Sequence, residues 1–138
     1  MTDRPAHHDG GCLCGRVRYR ITGAVRGVAH CHCRMCQKAS GAVVVTWALV
    51  APTAFTRTRG ELTTWASSAK GERGFCPGCG AQITFRHAHA PGELGVSLAT
   101  LDDAAAHPAT HHIWTESRLP RFHLDEHLPA YRREPGGP

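Results

Sequence analysis

Seven cysteines dominate the chemistry that this 138-residue chain can offer, and they fall into two groups. Cys31, Cys33 and Cys36 lie within "HCHCRMCQ" at His30–Gln37. On an extended segment Cys31 and Cys33 share a face, and the Cys33-x-x-Cys36 spacing bends the third sulfur back toward them. Three thiolates occupy three positions of a tetrahedral zinc and leave the fourth to water or substrate, which is the pattern of a catalytic site. Two other readings stay open at this point. One of the 11 histidines could complete the shell, with His30, His32, His111 and His112 the nearest suspects, although His30 and His32 should project from the opposite face. Alternatively Cys33 and Cys36 form a redox dithiol with a spare thiol, but no thioredoxin-like βαβ pattern surrounds them.

The second group is Cys12 and Cys14 in "CLCG" with Cys76 and Cys79 in "CPGCG". Read as strand residues, Cys12 and Cys14 present both sulfurs to one point. Pro77 fixes one dihedral while Gly78 and Gly80 tolerate positive φ, so Cys79 can curl back beside Cys76 as in a zinc knuckle. Four thiolates would close a tetrahedral site with Zn–S near ~2.3 Å. Buried thiols or two local disulfides are the alternative. A closed four-sulfur site has no open position, so its expected role is to staple the sheet.

These groups must be carried by the elements around them, and the pattern predicts a mainly β single domain with short helical turns. "RVRYRIT" alternates Val17, Tyr19 and Ile21 with polar residues, the mark of a half-buried strand. "AVVVTWALV" (Ala42–Val50) is almost wholly apolar and β-branched, which fits a strand covered on both faces. "ELTTW", "AQITF" and "LGVSLAT" read as further strands between Gly- and Ser-containing turns. "LDDAAAH" predicts a short helix capped by Asp102 or Asp103, and another helical turn begins near Met35–Ser40. Residues 10–131 make the expected domain, with 1–9 and 132–138 as loose termini.

Composition narrows the function classes. No run is long and apolar enough for a membrane span, and "MTDRPAHHDGG" lacks the apolar core of a signal peptide, so a cytoplasmic protein is expected. Thiols stay reduced there, which favours metal ligands over disulfides. The formal charge of +5 comes from arginines spread along the chain, which suits small anionic substrates better than nucleic acid. Arg57, Arg59 and Arg73 are candidates to hold substrate carboxylates, with a solvated surface place as the plainer reading of each. Of the aromatics Trp47, Trp65, Phe75, Phe85, Trp114 and Phe122, most are expected in the core and some in the lining of a site. An exposed sheet edge would allow a homodimer.

The order "GGCLCGRVRY", "HCHCRMCQKASG", "RGFCPGCGAQI", "ATLDD", "HIW" and "LPAY" resembles the glutathione-dependent formaldehyde-activating (GFA) family, or CENP-V/GFA domain, across Gly10–Tyr131. The resemblance implies a zinc-containing β-tent fold. It implies one structural zinc on Cys12, Cys14, Cys76 and Cys79, and a second zinc, at full or partial occupancy, on Cys31, Cys33 and Cys36 as the catalytic site. It further implies a carbon–sulfur lyase whose partners are a small thiol such as glutathione and a small aldehyde, the adduct being S-hydroxymethylglutathione. Arg121 stands where the family pattern leads one to expect an aromatic residue before Phe122. The competing class is a zinc-stabilised binding module without turnover.

Overall fold

In "RYRIT" the side chains of Tyr19 and Ile21 are fully buried while Arg20 and Thr22 face outward, as period-two patterning requires. The structure, a computed structural model, describes residues 7–137. Strand β1 (His7–Gly11), β2 (Arg18–Thr22) and β5 (Phe55–Arg59) form an antiparallel sheet in the order β1-β2-β5. A second sheet contains β3 (Gly27–Cys31), β4 (Val45–Val50), β6 (Thr63–Ala66), β7 (Gly71–Phe75), β8 (Gln82–His87), β9 (Leu94–Ser97) and β10 (His111–Ile113). Its order is β10-β3-β4-β9-β8-β7-β6, antiparallel except where β10 runs beside β3.

Strand β4 is apolar on both faces because it separates two packed regions. Ala48 and Val50 join Tyr19 and Ile21 of the small sheet and Val17 just before it, together with Ile83, Leu94 and Val96, in one core between the sheets. Val45 and Trp47 point the other way and pack with Ala29, Cys31, Cys36 and Ile113. Gly74 pairs with Thr84 and Phe75 with Gln82, so Ile83 is the extra residue of a bulge. That bulge lets Ile83 enter the first core while Phe85, two residues on, packs on the opposite face.

Several local expectations are corrected. His7–Asp9, expected to be loose, are the start of β1, where Asp9 accepts two bonds from Arg20 at 2.8 and 3.2 Å; the rest of that segment, 1–6, lies outside the described residues. "LGVSLAT" is a strand only to Ser97, and a 3-10 turn (Leu98–Thr100) follows. The helix expected in "LDDAAAH" shrinks to a 3-10 turn at Ala104–Ala106 without a side-chain cap, because Asp102 turns instead to Arg18. Residues Arg132–Glu134 are not loose either. Trp114 and Glu116 donate backbone N–H groups to Arg133 and Arg132, and both arginines hold the Glu116 carboxylate. Among the described residues, no helix is long and apolar enough to cross a membrane.

The first core makes the small sheet depend on the large one. Ile83→Ala is expected to lower unfolding free energy by about 2–5 kcal/mol, read as a fall in the urea midpoint at unchanged slope.

Candidate metal centres

Cys12 and Cys14 do not lie on a strand; they occupy the turn that joins β1 to β2. Cys12 N–H bonds the Val17 carbonyl at 3.1 Å and Gly15 N–H bonds the Cys12 carbonyl at 3.2 Å, with Gly15 at φ +78°. The β7–β8 connection repeats the device. Gly80 N–H bonds the Cys76 carbonyl at 2.8 Å, with Gly80 at φ +76°. A positive φ after the last cysteine of each pair curls the chain so that both sulfurs face one point, which glycine alone allows without strain. Backbone N–H groups are aimed at the sulfurs, from Val17 to Cys12 Sγ at 3.2 Å and from Gly78 to Cys76 Sγ at 3.3 Å. Burial would raise the Cys12 thiol, yet the Val17 N–H and the sulfurs of Cys14, Cys76 and Cys79 bring it down to about 6.

All four sulfurs lie within 4.8 Å of one another. Cys12 to Cys14 is 3.6 Å and Cys14 to Cys76 is 3.7 Å, far beyond the ~2.05 Å of a disulfide, and all seven thiols are free. The local-disulfide reading therefore fails. The donor set and its spread suit a tetrahedral ion such as zinc.

The other group sits at a strand end. Cys31 closes β3, and Cys33 is the N-cap of helix α1 (Arg34–Ser40), so these two do not share one strand. Cys33 has φ −64° and ψ 147°, and its Sγ accepts the Cys36 N–H at 3.2 Å. A sulfur thus takes the place of the usual capping oxygen, and the first turn of α1 brings Cys36 back toward Cys31. Gly41, at φ +72°, ends the helix with its N–H on the Gln37 carbonyl. The Gln37 amide donates to the carbonyls of His32, Val43 and Ser117, which ties α1 to the loops on either side.

Sγ atoms of Cys31, Cys33 and Cys36 also lie within 4.8 Å of one another, and among the described residues no histidine nitrogen or carboxylate joins the group. His30 bonds Thr46 at 2.7 Å and Asp125 at 2.9 Å. His112 Nε2 donates to the Asp125 carbonyl, so its Nδ1 accepts from His32 Nε2 at 2.9 Å. These three rings form a buried brace, and His112, weighed as a fourth ligand, is held in it instead. The three thiols share protons unequally. Cys33 and Cys36 push Cys31 far above the ordinary thiol range, whereas Cys31 and Cys33, with Arg73 adding to them against burial, hold Cys36 far below it.

Arg73 departs most from its expected surface place. It stands on β7 directly across from Phe85 on β8, is only 5 % exposed, and sets its Cζ 4.7 Å from the Phe85 ring. Both Nη atoms lie 3.6 Å from Cys36 Sγ. Arg57 and Arg59 belong to β5 of the other sheet. Above the three sulfurs opens a cleft of about 880 Å³, walled by Trp47, Phe85, Ile113 and Trp114, with His87, His89 and His111 also in its lining. Trp65 is exposed on β6 and takes no part in it.

The profile of the family described as "Glutathione-dependent formaldehyde-activating enzyme" matches residues 7–117. The chain belongs to this family. A crystal structure of a protein from Rhodobacter sphaeroides superposes on this GFA member with a TM-score of 0.60 at 20 % identity, covering 89 % of this chain and 98 % of that one. At such identity the likeness speaks for the shared fold alone. Both cysteine groups of this GFA member are compatible with zinc by donor type and spacing.

Metal removal should separate the two groups. Cys79→Ser is expected to lose one metal equivalent together with the folded state, because the Cys76–Cys79 turn joins β7 and β8 to the β1–β2 turn. Metal analysis and far-ultraviolet circular dichroism on the same sample check both losses.

Proposed function

We propose that the chain catalyses the reversible joining of a small thiol, such as glutathione, to a small aldehyde, as a carbon–sulfur lyase working on S-hydroxymethyl adducts. The observation that carries this reading is the group of Cys31, Cys33 and Cys36 at the floor of a cleft, with three sulfurs and no fourth protein donor among the described residues. Cys12, Cys14, Cys76 and Cys79 take the structural role. In the joining direction the thiol gives up its proton, its sulfur bonds to the aldehyde carbon, and the carbonyl oxygen takes up a proton. The lyase direction breaks the same carbon–sulfur bond.

A zinc ion held by Cys31, Cys33 and Cys36 would supply Lewis acidity and an open position at which a thiol is kept deprotonated or a carbonyl is polarised. The protein contributes the rest. Trp47, Phe85, Ile113 and Trp114 shield the reacting atoms from water and hold two reactants side by side, which replaces a bimolecular encounter with a local one. Arg73 sets a fixed positive charge beside the sulfurs without a solvent shell of its own. The net charge of +5 draws anionic thiols toward the surface. Seven free thiols fit a reducing, cytoplasmic setting.

Cys33→Ser tests the assignment, because its side chain caps α1 through a bond that a serine hydroxyl can also accept. The variant is expected to stay folded, to keep the metal of the four-cysteine group, and to fall to the uncatalysed rate of adduct formation, followed by NMR of the thiol and aldehyde. Full turnover in Cys33→Ser would remove the three-cysteine group from the reaction.

A further inference from the structure

Arg73 is a buried cation without a carboxylate partner among the described residues: its Nη atoms reach only Cys36 Sγ, and its Nε, also buried, has no hydrogen-bond partner. A charge removed from water in this way is costly unless another charge answers it. The anion within its reach is the Cys36 sulfur, one member of the three-cysteine group.

The two cysteine groups differ in this respect. Cys14 of the four-cysteine group is exposed and Cys79 half-buried, so water can screen that group's charge. Cys31 and Cys36 are buried, as Cys12 and Cys76 are in the other group, and here a buried guanidinium lies against one of the sulfurs. Three thiolates against one divalent ion leave a single net negative charge, which one arginine balances. An entering thiolate adds a second negative charge beside Arg73; an entering neutral ligand adds none. Phe85 holds the guanidinium in place from the far side, so its charge is fixed before any ligand arrives.

We infer that Arg73 is a specificity-determining residue that makes the three-cysteine site favour an anionic thiolate over a neutral ligand. The inference rests on the reading that Cys31, Cys33 and Cys36 hold a metal that accepts an outside ligand.

The test uses the full chain loaded with cobalt(II), whose visible bands report its ligands without any turnover. 2-Mercaptoethanol, which binds a metal as its thiolate and releases its proton to the buffer, is titrated at fixed pH as the probe that adds negative charge, and imidazole as the neutral one, in the unaltered protein and in Arg73→Met and Arg73→Lys. Arg73→Met is expected to weaken mercaptoethanol binding at least tenfold while imidazole binding changes less than threefold, and Arg73→Lys is expected to recover most of the preference. Equal loss for both probes, or no loss for either, overturns the assignment. Should Arg73→Met not fold, Arg73→Gln takes its place as the neutral variant with the same required outcome. A protein that binds mercaptoethanol at the metal in an Arg73-dependent way yet turns over no adduct would refute the lyase reading and leave Arg73's role standing. A protein with turnover and unchanged probe preference in the variants would do the reverse.

Discussion

Sulfurs held within 4.8 Å of one another cannot all carry negative charge unless a cation answers them, and this chain enforces that crowding twice. Around Cys31, Cys33 and Cys36 hydrogen bonding among the sulfurs pushes Cys31 up and holds Cys36 down, so the group shares its protons unequally. Arg73, a nearly buried member of the cleft lining, supplies one fixed positive charge beside that group. The open side faces the cleft.

The architecture keeps these two demands apart. Strand β4 divides the molecule, with Ala48 and Val50 in a core between the sheets and Val45 and Trp47 toward the cleft. The four-cysteine group joins the β1–β2 turn to the β7–β8 turn, and so links the small sheet to the large one at their ends. Metal-ligand energy in a closed site of this kind is folding energy. The three-cysteine group instead hangs from the end of β3 and the first turn of α1, braced from behind by His32, His112 and Asp125. The four-cysteine group thus lies where the two sheets meet, and the three-cysteine group lies in the lining of the cleft.

The short cysteine spacings were legible in the sequence because they limit where neighbouring thiols can meet, while the meeting of Cys14 with Cys76, 62 residues apart, was implied by the family resemblance; β2 and β4 were legible because burial on one face or two writes a clear period. The local backbone at the cysteines was less so. Cys12 and Cys14 lie in a turn and Cys33 caps a helix, since a Cys-x-Cys spacing serves a curled backbone as well as an extended one. Strand β7, "GERGF", offers no apolar alternation, so nothing local distinguished Arg73 from a surface arginine; its burial comes from register with Phe85 across the sheet. The histidine brace was hidden for a similar reason, because His32 and His112 are 80 residues apart in sequence. Asp102 and the 132–134 segment found long-range ionic partners that no local propensity encodes.

X-ray absorption at the zinc edge, combined with metal counting per chain, bears most directly on the claim that one sulfur group is closed and the other open. The account predicts two ions per chain, one with four sulfurs and one with three sulfurs and a lighter atom, the lighter atom giving way to sulfur when a small thiol is added. A single ion per chain, or a coordination shell that added thiol leaves unchanged, would contradict it.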